Sequence, residues 1–130
     1  SRRRNFKILR EGLEGTEGLI LPEPMKNSNP SWFGFLISVK PDAGFTRNQL
    51  SEYLESKRIQ TRNLFAGNLV KHPAFDEMRA TGEGFRIVGE LKNTDFVMAN
   101  TFWIGVYPGM TEDMLQYMIS TIKEFVASHK

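Results

Sequence analysis

A chain of 130 residues has the length of one domain and can enclose a single core. Its 17 Lys and Arg against 15 Asp and Glu leave a net charge of +2, too small a surplus for a protein built around nucleic acid. With no cysteine, the chain can form no disulfide, thiolate zinc site or cysteine-held iron–sulfur cluster of its own, and no apolar run approaches the roughly 18 residues of a membrane span.

Residues 2–13 read as a helix, because Phe6, Leu9 and Leu13 recur at helical spacing while Arg2, Arg3, Arg4, Lys7 and Arg10 fall on other faces. No entry cap precedes this helix, the pattern of one continued from upstream, and Gly12, Gly15 and Gly18 close it. The basic cluster reads as a solvated helix face. Leu19-Ile20-Leu21 is a short edge strand stopped by Pro22 and Pro24. Residues 32–39 form a strand with Phe33, Phe35, Ile37 and Val39 on one face. After a turn at 41–44, Thr46-Arg47-Asn48-Gln49 is a capping box, opening a helix with the stripe Leu50, Tyr53 and Leu54.

Ile59 begins the stretch around which the chain is organised. Ile59, Thr61 and Asn63 alternate with Gln60, Arg62 and Leu64 as in a strand. Ala66-Gly67-Asn68 breaks it with residues that tolerate a left-handed backbone, and Lys71-His72-Pro73 follows without a period. A polar, aromatic loop leaving a strand is a common place for contact residues. Residues 81–84 are a connector and 85–91 a strand. Asn93 caps a short helix over 94–99, with Asp95 at its positive end. Residues 101–107 carry large apolar side chains on both faces, as a central strand does. Thr111 caps the last helix, where Leu115, Met118, Ile119, Ile122, Phe125 and Val126 make the strongest stripe in the chain. This order predicts an α+β fold: a small, mostly antiparallel sheet with helices packed on one face.

Chemistry is sparse. Gly82-Glu83-Gly84 lacks the strand–helix context of a phosphate loop. His72 reads as a structural or exposed loop residue and His129 as a solvated terminal one, and no histidine–carboxylate spacing suits a metal. Trp32, Phe33, Phe35, Phe102 and Trp103 fit core packing better than an RNA-stacking platform, and Met98, Met110, Met114 and Met118 fit core or cap packing.

Several stretches nevertheless resemble one family. They are Arg2-Arg3-Arg4-Asn5-Phe6, Ser31-Trp32-Phe33-Gly34-Phe35, Phe45-Thr46-Arg47, and 61–69, which reads Thr-Arg-Asn-Leu-Phe-Ala-Gly-Asn-Leu; 86–95 and 101–109 continue it. Together they resemble the C-terminal domain of the sugar-modifying, vitamin-B6-dependent DegT/DnrJ/StrS family, of fold-type-I aminotransferase architecture. The resemblance is to the dehydrase branch and covers nearly the whole chain. It implies that residues 1–130 are the C-terminal small domain of a larger cytoplasmic enzyme, cut from its cofactor domain and inactive alone.

The enzyme so implied uses pyridoxamine 5′-phosphate or pyridoxal 5′-phosphate. The amine condenses with the C4 ketone of a nucleotide-linked 4-keto-6-deoxyhexose. A histidine in place of the Schiff-base lysine removes a proton, and the C3 hydroxyl leaves. In some members a [2Fe–2S] cluster and a partner reductase supply electrons, and the products are 3,6-dideoxysugars of the lipopolysaccharide O-antigen. The resemblance further implies a homodimer, no nucleic acid or membrane partner, and no catalytic, cofactor or metal residue within this chain. Two site residues are expected, Arg62 and Asn68, as substrate-binding groups lining the sugar-nucleotide pocket. Arg62 is a fixed five-donor cation, and Asn68 an amide beside Gly67. The alternatives are the small domain of a pyridoxal-phosphate sugar aminotransferase, or a stand-alone α/β binding domain.

Overall fold

Strands β2 (Gly34–Val39) and β4 (Thr101–Gly105) form the centre of a four-stranded sheet. β1 (Leu19–Ile20) flanks β2, and β3 (Thr61–Asn63) flanks β4. All three pairings are antiparallel in this computed structural model, which describes residues 1–129. Register sets the faces. Phe35 lies opposite Ile104 and Ile37 opposite Phe102, and with Val39 and Val106 these side chains are buried on one face. Leu36 lies opposite Trp103, and Arg62 lies opposite Trp103 on the other side, so these three share the second face.

Three helices close the first face. α1 (Arg2–Gly12) brings Phe6 and Leu9, α2 (Arg47–Ser56) brings Leu50 and Leu54, and α5 (Glu112–Ala127) brings Leu115, Met118, Ile119, Ile122, Phe125 and Val126. α5 packs against both α1 and α2. Its approach to α1 is close at Gly12, where a Cβ would stand 2.3 Å from Cδ1 of Ile119. Both expected caps form. Oγ1 of Thr46 accepts from the Gln49 N–H at 3.2 Å while Oε1 of Gln49 accepts from the Thr46 N–H at 2.8 Å. Oγ1 of Thr111 accepts from the Met114 N–H at 3.3 Å. The basic cluster of α1 is spent on surface pairs. Arg4 meets Glu112 at 2.7 Å, Arg10 meets Glu23 at 2.8 Å, and Arg3 donates to the Asn29 carbonyl at 2.9 Å.

Between β3 and β4 the chain makes an excursion outside the core. It holds two 3-10 turns (Leu69–Lys71 and Pro73–Phe75), α3 (Asp76–Thr81) and α4 (Lys92–Asn100).

Four expectations are corrected. The alternation begins only at Gly34: Phe33 precedes the strand and is exposed over Trp103 and Phe65, while Trp32 stacks on Phe6 at 3.9 Å. Residues 85–91 form no strand, because no neighbouring strand offers them a ladder and the backbone turns left-handed at Gly89 and Leu91. The helix expected over 94–99 starts at Lys92, with Leu91 in the cap position, so Asn93 lies in its first turn and caps nothing. His129 is not freely solvated: its ring stacks on Phe125 at 4.0 Å and meets Phe45 edge-on.

Candidate functional site

The strand β3 and the loop after it are held from several sides. Arg47, at the start of α2, donates to Oδ1 of Asn63, and its guanidinium also reaches the carbonyls of Thr101 and Met98, each at 3.5 Å. Glu55, from the same helix, accepts the Thr61 N–H at 2.6 Å and the Thr61 hydroxyl at 2.9 Å. Those two donors, with a smaller contribution from the Arg62 charge, hold the Glu55 carboxyl below its ordinary pKa.

The loop then turns at Gly67, whose φ of 62° suits glycine. A Cβ there would also press on Cγ of Met98 at 2.7 Å. Asn68 is buried, and its backbone is not left-handed. Its amide nitrogen donates to Oδ1 of Asp95 at 2.7 Å, its amide oxygen accepts from the Val70 N–H at 3.1 Å, and its own N–H meets the Met98 sulfur at 3.4 Å. Lys71 closes on the other Asp95 oxygen at 2.9 Å. The Asn68 donor, and then Lys71, lower the Asp95 pKa. Further on, the His72 ring bonds the Ala66 carbonyl, and Arg79 bonds the carbonyls of Val70 and His72.

The two expected site residues therefore stand apart in kind. Arg62 is exposed on the second face of the sheet, while Asn68 is inside the loop with both ends of its amide engaged. Asn68 fixes the loop's shape, and Arg62 is presented outward.

At the edge of the sheet, between the second face and α5, lies a cavity of about 330 Å³ lined by Arg58, Arg62, Trp103, Tyr107 and Tyr117 together with methionines 110, 114 and 118. Beside it, across the Trp103 ring, lies an apolar cavity of about 270 Å³ among Phe33, Leu36, Leu64 and Phe65. The indole lies close over Gly34, where a Cβ would stand 2.7 Å from Cε3. Its Nε1 is shielded from solvent with no acceptor. Arg58, Trp103 and Tyr107 were not singled out as site residues by sequence reading, since only the β3–β4 register brings them to Arg62. The left-handed φ of 63° at Arg58, uncommon for a non-glycine residue, leaves no mark in the sequence.

A seat for pyridoxal phosphate needs a phosphate cradle and a free histidine or lysine at the reacting carbon. Here the His72 ring is tied to a carbonyl, the His129 ring is packed on Phe125, and Lys71 is paired with Asp95. Without cysteine the chain offers an iron–sulfur cluster no thiolate. No group of residues that could hold a metal ion occurs among those described, and none of their helices is long and apolar enough to cross a membrane.

The profile of the DegT/DnrJ/EryC1/StrS aminotransferase family matches residues 1–123. A dTDP-4-dehydro-2,6-dideoxy-D-glucose 3-dehydratase of Saccharopolyspora spinosa is 52% identical over 127 residues, which are 98% of this chain and 26% of that protein. The lipopolysaccharide biosynthesis protein RfbH of Salmonella typhimurium is 47% identical over 125 residues, 95% of this chain and 28% of that protein. Among solved structures, an E. coli GDP-4-keto-6-deoxy-D-mannose-3-dehydratase with bound hydrated PLP superposes with a TM-score of 0.78 at 23% identity, over 93% of this chain and 30% of that one. The chain thus spans little more than a quarter of the length of these two sequence relatives.

Proposed function

The chain belongs to the DegT/DnrJ/EryC1/StrS aminotransferase family, and from that premise we propose that it is the C-terminal small domain of a larger nucleotide-sugar 3-dehydratase. The substrate is a nucleotide-linked 4-keto-6-deoxyhexose, which loses its C3 hydroxyl on the way to a 3,6-dideoxysugar of the lipopolysaccharide O-antigen. The observation that carries this reading is the identity of 52% and 47% to a sugar 3-dehydratase and to RfbH over nearly the whole chain. Pyridoxamine or pyridoxal phosphate, held by the rest of the enzyme, supplies the electron sink for the elimination. This chain contributes binding and shape.

The excursion supports a place within a longer protein. Asn68 is its single buried residue between 64 and 91, while Phe65, Leu69, Phe85, Ile87 and Val88 are exposed. An apolar surface of that extent marks an interface, and the proposal covers it with the cofactor domain. Arg62 then faces the substrate pocket, and Asn68 serves the pocket by holding the loop. A cytoplasmic homodimer belongs to the same proposal, as does a partner reductase with a [2Fe–2S] cluster held outside this chain.

The test is to supply the full-length protein with pyridoxamine phosphate and nucleotide-linked 4-keto-6-deoxyhexoses. Release of the C3 hydroxyl as water is expected. Transfer of an amino group from glutamate to C4, with no loss at C3, would assign the aminotransferase reading instead. Arg62→Ala should lower kcat/KM by at least about tenfold while the protein stays folded. Unchanged kinetics would remove Arg62 from the pocket.

A further inference from the structure

Arg62 stands between two residues that are held from one helix. Neighbours in a strand point to opposite faces, so Thr61 and Asn63 lie on the inner face, opposite Ile104 and Phe102, while Arg62 points outward. The helix α2 reaches both. From its last turn, Glu55 accepts the Thr61 N–H at 2.6 Å and the Thr61 hydroxyl at 2.9 Å. From its first position, Arg47 donates to Oδ1 of Asn63. β3 has three residues and one sheet neighbour, β4, so it has few other bonds to fix it.

Arg47 is placed against the preference of its own helix. A cation at the first helical position meets the positive end of the dipole. Its guanidinium has no carboxylate partner among the described residues, and its Nε is shielded from solvent without an acceptor. Its bonds go instead to Asn63, where the chain leaves the sheet, and to the carbonyls of Thr101 and Met98, each at 3.5 Å, where the chain returns. Met98 lies in the last turn of α4, whose final carbonyls lack partners within the helix, and a cation is favourable there. Local costs of this kind are retained where a position serves another purpose.

We propose that Arg47 is a positioning residue for the reaction: it ties the two roots of the excursion together and, with Glu55, fixes the strand that presents Arg62 to the substrate. The inference rests on the reading of Arg62 as a substrate-binding group. Arg47 bonds on the inner side of β3 and the Arg62 side chain lies on the outer side, so Arg47 acts through the strand. A planar guanidinium holds its donors in a fixed fork and can set the spacing of several oxygens at once, which a lysine ammonium on a flexible stem does not. A shift of about 1 Å in a substrate-positioning group can cost up to about a hundredfold in rate. The Arg62 charge acts on Glu55 directly, so Arg47 and Asn63 are the cleaner probes.

The test uses the full-length enzyme. Arg47→Ala should lower kcat/KM for the nucleotide sugar by about tenfold, chiefly through KM, with an unchanged circular dichroism spectrum. Asn63→Ala removes only the acceptor, from an exposed edge residue, and decides the matter where Arg47→Ala does not fold. It should lower kcat/KM by at least about threefold. In an Arg62→Ala background either substitution should cost less than about twofold, because the group it positions is gone. A merely structural role would give losses that multiply. Amide exchange over 61–65 should quicken by at least about fivefold in Asn63→Ala and Arg47→Ala and stay at the wild-type rate in Arg62→Ala. Multiplying losses, wild-type kcat/KM in Asn63→Ala, or wild-type exchange in the Asn63 and Arg47 variants would each overturn the role given to Arg47. Wild-type kinetics in Arg62→Ala alone would overturn the pocket reading of Arg62 and this inference with it. The dehydratase reading is judged separately, by whether the wild-type full-length enzyme releases the C3 hydroxyl.

Discussion

Replacing Gly34 by Ala tests whether the indole of Trp103 rests on the sheet as described. The new Cβ would stand 2.7 Å from Cε3 and 3.1 Å from Cδ2 of Trp103, and 3.3 Å from the Ile104 carbonyl oxygen. Ordinary carbon–carbon contact is about 3.5–4.0 Å, so the ring must lift by roughly 1 Å. The ring is rigid, and Phe33 stands 5.0 Å from it, centroid to centroid. Overpacking of this kind costs about 1–3 kcal/mol, and the partial exposure of Trp103 places the expected value near the lower end. The decisive measurement is a double-mutant cycle by urea unfolding. In a Trp103→Ala background the two close ring atoms are gone and only the carbonyl contact remains. Gly34→Ala should there cost less than about 0.5 kcal/mol, giving a coupling of about 1 kcal/mol or more. Trp103 emission should also shift in the single variant as the ring lifts. Equal cost in both backgrounds would refute the placement of the indole over Gly34, and with it the floor shared by the two cavities.

Thr46→Ala and Thr111→Ala should each lower stability by about 1 kcal/mol, read from urea midpoints, because each hydroxyl satisfies a helix N–H. Leu115→Ala should cost about 2–5 kcal/mol, since Leu115 is fully buried under the sheet; a loss below about 0.5 kcal/mol would mean that α5 does not close the core. Asp95 should titrate below the ordinary carboxylate value of 3.8 when followed by carboxyl NMR. Its folded pKa is depressed, so its contribution is full above the unfolded value and is lost as pH falls through the folded one. Asn68→Asp, which sets a second carboxylate against Asp95, should speed amide exchange over 69–71 at neutral pH, and exchange at the wild-type rate would deny the Asn68–Asp95 link.

Much of the fold is legible because its signals are local. The capping box at Thr46 and the cap at Thr111 are each written within four residues, and the α5 stripe repeats within one helix. The apolar character of 101–107 on both faces marks β4 as central, and it lies between β2 and β3. The misreadings share one cause. The segment 85–91 has the residues of a strand but no partner to pair with, and Asn93 has the chemistry of a cap but follows a backbone that already turns at Leu91. Phe33 has the right parity but lies outside the ladder that gives parity its meaning.

The candidate site divides the same way. That β3 leads into a loop worth attention follows from composition and from Gly67, a position where a left-handed turn needs no Cβ. The family resemblance too is carried by contiguous residues. Whether Asn68 points outward or inward depends on Asp95, and whether Arg62 shares a face with Trp103 depends on a strand register across the whole excursion. Both are long-range pairings. A side chain's period along its own element fixes which residues it shares a face with there, but its chemical partner is chosen only when distant elements pack.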